Sequence, residues 1–345
     1  MPAFPEQGVP FSVPPPSTLD ERMPDWHGVW VFLQVHRSGS LRACAKRYNM
    51  TVSSIRRRID QLEKVLGHRL LTRHVDGIRL TAEGEHLLGI GLSMEREALA
   101  LVRMQDALTS GIDGTVRIAV TEGLGAVWLA PRAADFTRGH PNLRLDFACA
   151  MRSVDVLRME ADVAVQLSRP EAPDVKVVRL GHLHVMPYAS RSYADRYGVP
   201  ATIEELASHR LALQIAEQTS TAEILSQIFQ GIPFRGAIAI TTNTSTAHAL
   251  AIANGVGIGW LPTYVTPLQS GLIPIECGAN ARLDIWMTYH PDAERIPRVR
   301  VAIAWIRSCF DPRHFPSFSE QRFRPDALPP IEKLATLKDW MPEYG

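Results

Sequence analysis

Residues 40–67 read SLRACAKRYNMTVSSIRRRIDQLEKVLG, and the architecture of the N-terminal part turns on them. Ser40 is placed to cap a short helix over 41–48, Asn49-Met50 make a turn, and Thr51 caps a further helix over 52–66 that Gly67 ends. Two short helices joined by a three-residue turn predict a helix-turn-helix. At ~100° per residue, Val52, Ile55, Ile59, Leu62 and Leu66 gather on one face of the second helix. Ser53, Arg57, Asp60 and Lys64 lie opposite. Arg56 sits on one flank, and Arg58 on the other, nearer the core edge. Ser53, Arg56 and Arg57 are therefore the side chains best placed to enter a groove, with Ser54 and Arg58 beside them.

Outward from this pair, Val29, Trp30, Phe32, Leu33 and Val35 follow a helical spacing between Trp26 and about His36, broken by Ser38-Gly39-Ser40. Downstream, residues 70–81 (LLTRHVDGIRLT) read as two short strands around an Asp-Gly turn, a wing carrying Arg73, His74 and Arg79. A long helix is expected from 82 to about Leu108. Its Leu87, Ile90, Met94, Ala98, Leu101 and Leu108 repeat at near-3.5 spacing, the pattern of a helix paired along its length, with Gly89 and Gly91 permitting close approach. Residues 110–114 form a linker. Beyond it short strands alternate with helices, an α/β organisation. Strands are expected at 116–120, 143–149, 161–166, 185–189, 211–215, 237–241, 258–261, 272–274 and 283–289. Helices are expected at 122–138, 192–197, 203–207, 221–230, 247–254 and 298–309.

Composition narrows the function classes. The 345 residues are 46% hydrophobic and 21% charged, ordinary for a globular chain of about two domains. No uncharged apolar run reaches the ~18 residues of a spanning helix, so no membrane partner is expected. The net charge of +1 conceals an asymmetry: residues 37–79 hold eleven Lys/Arg against three acids, a local charge of +8, so the rest carries −7. A small basic module on an acidic body points to a polyanion partner. Cys44, Cys149, Cys277 and Cys309 are scattered without C-x-x-C spacing, which fits reduced thiols in a cytoplasm. Residues 1–24 hold seven prolines and read as a disordered lead without the n- and h-regions of a secretory signal, Met23 being a second candidate start. The tail from 312 is also proline-rich, but Phe315, Phe318, Phe323, Trp340 and Tyr344 give it the means to dock on the body.

The ordered run of Trp30-Val-Phe-Leu, Gly39-Ser40-Leu-Arg-Ala43-Cys44-Ala45, Ile55, Arg57, Ile59, Leu62-Glu63, Leu66-Gly67, Arg69-Leu70-Leu71 and Arg79-Leu80-Thr81 resembles the winged helix-turn-helix of LysR-type transcriptional regulators. Gly114-Thr-Val-Arg-Ile-Ala, Leu129-Ala-Pro131, His140-Pro141, Asp162-Val-Ala-Val and Gly255-Val-Gly257-Ile-Gly259-Trp-Leu-Pro262 follow in the family's order. The resemblance covers about 25–310. It implies a winged helix-turn-helix at 25–81, a linker and dimerisation helix at 82–110, and an effector-binding domain at 112–311. That domain would be two-lobed, like type 2 periplasmic binding proteins, with lobe I at 112–187 and 282–311 and lobe II at 188–281. A tail, 312–345, would follow. It further implies dimers that pair into homotetramers on pseudo-palindromic promoter DNA in the cytoplasm, on the nucleoid, with RNA polymerase as a further partner. A small-molecule effector in the interlobe cleft would alter DNA binding. Val52 and Arg56 stand where relatives often have glutamine and serine. The valine offers a thymine-methyl contact and the arginine a guanine or phosphate contact, so the operator is not carried over.

On this reading Lys46, Arg47, Arg73 and Arg79 hold phosphates, Ser53, Arg56 and Arg57 read bases, and Ser40, Thr51, Ser54 and Arg58 complete the DNA-facing set. Effector candidates come from loops at the carboxyl ends of strands: Thr121 and Leu124, Ser153, Gln166 and Ser168, and from the second lobe Asn243 and Ser245. A helix start near Glu122 would suit a small carboxylate, although Glu122 itself argues against a strongly anionic ligand. No cofactor or metal is implied, and an enzyme is not expected. Gly255-Val-Gly257-Ile-Gly259 lacks G-x-G-x-x-G spacing and precedes a strand, so it reads as packing at a helix end; G-x-S-x-G, P-loop and H-E-x-x-H are missing. His182 and His184 could share a strand face, without a carboxylate or cysteine pattern to make a metal site. The rival reading is a two-lobed solute-binding protein, which would have no use for the basic module.

Overall fold

A computed structural model of the chain describes residues 23–74, 77–108, 111–149, 156–170, 172, 174–215, 221–268 and 271–322. The chain divides into two compact units at Val102/Arg103.

The first unit contains α1 (Trp26–Ser38), α2 (Leu41–Tyr48), α3 (Val52–Leu66), the hairpin β1 (Leu71–His74) and β2 (Gly77–Leu80), and most of α4 (Ala82–Leu108). Asp25, Ser40 and Thr51 cap the first three helices by accepting the N–H of His27, Ala43 and Ser54. Gly39, Asn49 and Gly67 end them in the left-handed region, which halts helix growth at each turn. Val29, Phe32, Leu33, Cys44, Ile55, Ile59, Leu62 and Leu70 form the core. Gly77, at φ +132°, lies against the α1–α2 turn. A Cβ there would meet the Gly39 carbonyl oxygen at 2.6 Å, and the Ile78 N–H donates to that same oxygen at 3.0 Å. The expected Asp-Gly turn falls partly on Val75 and Asp76, outside the described residues.

The face that α4 turns to α1 is Leu87, Gly91 and Glu95, an i, i+4, i+8 row. This corrects the single stripe expected for that helix. Leu87 and Met94 pack on the core, whereas Ile90 and Leu101 are exposed. A Cβ at Gly91 would stand 3.1 Å from Val29 Cγ1, so the close approach belongs to Gly91; Gly89 faces open space.

The second unit contains β3 (Gly114–Val120), α5 (Ala130–Gly139), β4 (Leu143–Cys149), β5 (Val163–Gln166), β6 (Lys176–Ser190), α6 (Arg191–Tyr197), α7 (Ile203–Leu206), β7 (Leu211–Gln214), α8 (Thr221–Phe229), β8 (Ile238–Thr242), α9 (Ser245–Ala253), β9 (Gly259–Pro262), β10 (Leu272–Pro274), β11 (Ala281–Tyr289) and α10 (Pro297–Cys309). The main sheet runs β10-β6-β11-β5-β3-β4, with β9 also pairing β6, and β7 and β8 form a separate parallel pair. β3 is parallel to β4 and β5, while β11 is antiparallel to β5 and β6.

β6 begins at Lys176, and the strand expected at 185–189, with His182 and His184 on a possible strand face before it, is its C-terminal part. Its first ten residues mix Lys176, Arg179, His182 and His184 with Gly181, so they show no apolar run; pairing with β11 makes them a strand. At Val185 this strand passes from β11 to β9, which joins one lobe to the other. The helix expected at 122–138 opens with a wide π-helical turn at Leu124–Leu129, where the Ala130 N–H reaches back to the Gly125 carbonyl, just before Pro131 in α5. Gly257 and Gly259 let the chain pass between neighbours: Cβ atoms there would meet Arg210 O at 2.7 Å and His248 Nε2 at 2.6 Å. That is packing after a helix end, with Gly255 at φ +79°.

The C-terminal segment docks as far as it is described. Phe318 is buried, its ring edge-on to Trp128 and Phe310, and Gly181 leaves room for its backbone. Arg132 stacks on Trp128 with its guanidinium carbon 3.3 Å from the ring centroid, and burial lowers its pKa to about 10. His182 Nδ1 lies 2.8 Å from Asp284 Oδ1, and His184 Nε2 2.9 Å from the Ser319 carbonyl oxygen. All four cysteines are free, three of them buried and Cys149 exposed. Among the described residues no helix is long and apolar enough to cross a membrane.

Candidate functional site

Two surfaces carry the chemistry, one in each unit. On α3, Ile55, Ile59 and Leu62 anchor the helix, and Ser53, Arg56, Arg57 and Asp60 stand exposed on the other side. Ser54 and Arg58 are half-buried, and the Arg58 Nε is enclosed without a hydrogen-bond partner. Lys46 and Arg47 are exposed on α2, and Arg79 on β2. Arg73 lies in β1 opposite Ile78. Ser40 and Thr51 serve as helix caps, and the Thr51 hydroxyl also lies 3.0 Å from that of Ser53.

Buried polar groups brace this surface from behind. Glu63 accepts the N–H of Leu70 at 2.8 Å and of Leu71 at 3.3 Å, with Arg69 at 2.9 Å, so one carboxylate ties the end of α3 to the wing. Arg37 grips Glu95 of α4 through both nitrogens, Nη1 to Oε1 at 2.7 Å. The Gln34 amide links this pair to α2: with its oxygen turned to the donors it accepts from Trp30 Nε1 at 3.2 Å and Arg37 Nη1 at 2.9 Å, and its nitrogen donates to Tyr48 Oη at 2.6 Å. Sequence reading passed over this network, because each member alone looks like an ordinary surface residue.

In the second unit a cavity of about 170 Å³ opens between the lobes. Thr121, Gly123, Leu124 and Val127 contribute from one lobe; Gln214, Ser245, His248, Ala249 and Trp260 contribute from the other; Leu183, Val185 and Leu283 come from the crossover strands β6 and β11. Of the sequence candidates, Thr121, Leu124 and Ser245 meet here. Gln166, Ser168 and Asn243 are not among the lining residues: the Gln166 amide turns back to donate to Ser168 O at 2.9 Å, and Asn243 is exposed. Ser153 lies outside the described residues. Gln214, at the end of β7, was within reach of the strand-end rule. His248, Trp260 and Tyr264 carry no local signal; tertiary packing brings them in.

The electrostatics of the cavity are set by burial and one carboxylate. Glu122 accepts the N–H of Ser245 at 2.7 Å and of Thr246 at 3.1 Å, together with the Thr246 hydroxyl, and so caps α9 from the opposite lobe. Gly123 makes room for this contact, since a Cβ there would meet Ser245 at 2.9 Å. Gln214 donates to the Ser245 hydroxyl at 2.9 Å. His248 Nε2 faces the Ala212 carbonyl at 3.0 Å and donates to it, which leaves Nδ1 as a buried acceptor without a partner. Burial lowers the His248 pKa, so the ring is neutral. Burial raises the Tyr264 phenol, with Glu122 adding to the shift. The Thr121 hydroxyl is buried and unpartnered.

Comparison with known proteins places this arrangement. The description "LysR substrate binding domain" matches residues 109–310, and "Bacterial regulatory helix-turn-helix protein, lysR family" matches residues 26–85. An HTH-type transcriptional regulator of Xanthomonas campestris pv. campestris (strain 8004) is 32% identical over 195 residues, 55% of this chain and 56% of that protein, so the alignment spans about half of that relative. The uncharacterized HTH-type transcriptional regulator YhjC of Escherichia coli (strain K12) is 26% identical over 292 residues, 81% of this chain and 96% of its own. The solved structure of CrgA, a LysR-type transcriptional regulator from Neisseria meningitidis, shares the fold with a TM-score of 0.51 at 23% identity, covering 83% of this chain and 98% of that one. With a helix-turn-helix in one unit, a two-lobed clefted domain in the other and both family descriptions matched in order, the chain belongs to the LysR family of bacterial transcriptional regulators.

Proposed function

We propose that the protein binds promoter DNA through α3 and the wing, and that a small molecule in the interlobe cavity modulates this binding. The observation that carries the reading is the exposed face of α3. Ser53, Arg56 and Arg57 are held outward by a buried Ile55–Ile59–Leu62 row and need no rearrangement to enter a major groove. Lys46, Arg47, Arg73 and Arg79 supply phosphate contacts around it, with Ser40, Thr51, Ser54 and Arg58 as supporting members. The limits of the functional segments follow the sequence reading: 25–81 for DNA, 82–110 for pairing, 112–311 for the effector. Exposed Ile90, Leu101, Val102 and Met104 on α4 support self-association into dimers that pair into tetramers. The site of action is the cytoplasm, on the nucleoid, with RNA polymerase as the downstream partner and no catalytic step.

The test is fluorescence anisotropy with fragments from upstream of the protein's own gene, titrated with salt. A regulator contacting several phosphates loses affinity linearly in log[salt] and keeps a preference for one fragment. Binding that ignores both salt and sequence would refute the reading.

A further inference from the structure

The interlobe cavity has a charge character of its own. Its lining is dominated by Leu, Val, Ala, Trp and Pro side chains, and no Lys or Arg is among the described residues that line it. The seat that would ordinarily welcome an anion, the N-terminus of α9, is filled. Glu122 takes the Ser245 and Thr246 N–H groups, the Thr244 hydroxyl takes that of Ala247 at 3.4 Å, and the Thr244 carbonyl takes that of His248 at 3.2 Å. A helix N-terminus with its free amides satisfied and a full negative charge on it no longer attracts a second anion. His248 offers no compensating charge, because burial lowers its pKa and outweighs the opposing effect of its bond to the Ala212 carbonyl.

Two polar atoms remain unsatisfied among the lining residues: the Thr121 hydroxyl and His248 Nδ1. Nδ1 can only accept a hydrogen bond, and the hydroxyl can donate or accept. Buried polar groups in folded proteins are nearly always paired, so these two orphans on lining residues are hydrogen-bonding groups that a bound molecule can satisfy. The volume, about 170 Å³, is close to that of an engineered apolar cavity of about 150 Å³ that binds benzene.

From these observations we infer that the cavity, taken as the effector site proposed above, receives an uncharged, largely apolar molecule about one aromatic ring in size that carries a hydroxyl or amide N–H. Glu122 excludes carboxylates by holding the α9 amides itself. A small carboxylate at the other helix start, the one expected near Glu122, would meet this same charge and is set aside with it. The selectivity rests on Coulomb repulsion and on the cost of burying an anion with no cationic partner among the described lining residues.

Isothermal titration calorimetry of the full chain at pH 7.5 with benzyl alcohol and with benzoate tests this, since the two probes share a ring and differ in charge. Benzyl alcohol is expected to bind at least about tenfold more tightly. Equal or tighter binding of benzoate, or no binding of benzyl alcohol at millimolar concentration, overturns the inference. In Glu122→Ala, benzoate affinity is expected to rise about tenfold with little change for benzyl alcohol. Glu122→Gln, which keeps the shape and removes the charge, gives the same comparison if the alanine variant folds poorly. No gain for benzoate in a folded variant also overturns the role of Glu122. Location is read separately: Trp260 fluorescence should respond to benzyl alcohol, and Trp260→Phe should abolish that response. Binding without it means that the cavity is not the site, whatever the charge preference.

Discussion

Arg57 lies opposite the buried face of α3, with Ser53 and Asp60 on the same exposed side. If it reads a base edge, Arg57→Ala loses about 1–3 kcal/mol of operator affinity and relaxes preference at one position; anisotropy on the wild-type site and its single-base variants measures both. An unchanged affinity assigns base reading to Arg56 or Ser53 instead. Glu63 acts from behind. Its carboxylate is buried and accepts two backbone N–H groups where α3 meets the wing. Glu63→Ala strands the buried Leu70 N–H and is expected to destabilise the DNA-binding unit by about 1–3 kcal/mol, read by urea denaturation. Full stability in that variant would mean that the wing finds another anchor.

The long helix α4 offers a matched pair of glycines. Gly89 faces open space in a helix interior, so Gly89→Ala should stabilise the unit by about 0.5–1 kcal/mol through helix propensity alone. Gly91 lies against Val29 and Leu33, and Gly91→Leu should destabilise it by about 1–3 kcal/mol through overpacking. Thermal melts of both variants decide this. The opposite ranking would show that α4 does not pack on α1 through the Leu87–Gly91–Glu95 row. Spacing alone merges this row with the exposed Ile90 and Leu101, because a near-3.5 repeat does not say which side of the helix meets its own domain.

Across the effector unit, burial lowers the pKa of His184, His209 and His248. A histidine whose folded value lies below its unfolded value of about 6.5 takes its proton more readily when unfolded. Its contribution is therefore complete above that value and lost as the pH falls toward the depressed one. The melting temperature is expected to fall between about pH 7 and pH 5.5, above the range where carboxylates titrate. A flat profile across that window would show that these rings stay solvated. Aromatic packing by the C-terminal segment makes a second claim at this scale. Phe318 is buried among Trp128, Tyr264 and Phe310, and Phe318→Ala should cost about 3–5 kcal/mol in the same melts. A variant with unchanged stability would mean that the segment only rests on the surface.

What could be read along the chain was local. Ser40, Thr51 and Gly67 mark helix ends because capping depends on a few adjacent residues, and Ile55, Ile59 and Leu62 announce a buried face because helical periodicity repeats within three turns. The eleven basic residues in 37–79 and the order of the motifs sufficed for the family. Glu122 shows where such reading stops. Its partner amides lie 123 and 124 residues away, and nothing near it in the chain says that its charge will cap a helix of the other lobe. The same holds for β6, whose polar first half becomes a strand only when β11 pairs with it, and for Phe318, which needs Gly181 to make room. Helix caps and turns are decided by neighbours in sequence. The composition of a cavity between lobes is decided by packing that brings together β3, β7, α9 and two crossover strands, and only the folded chain brings their side chains within reach of one another.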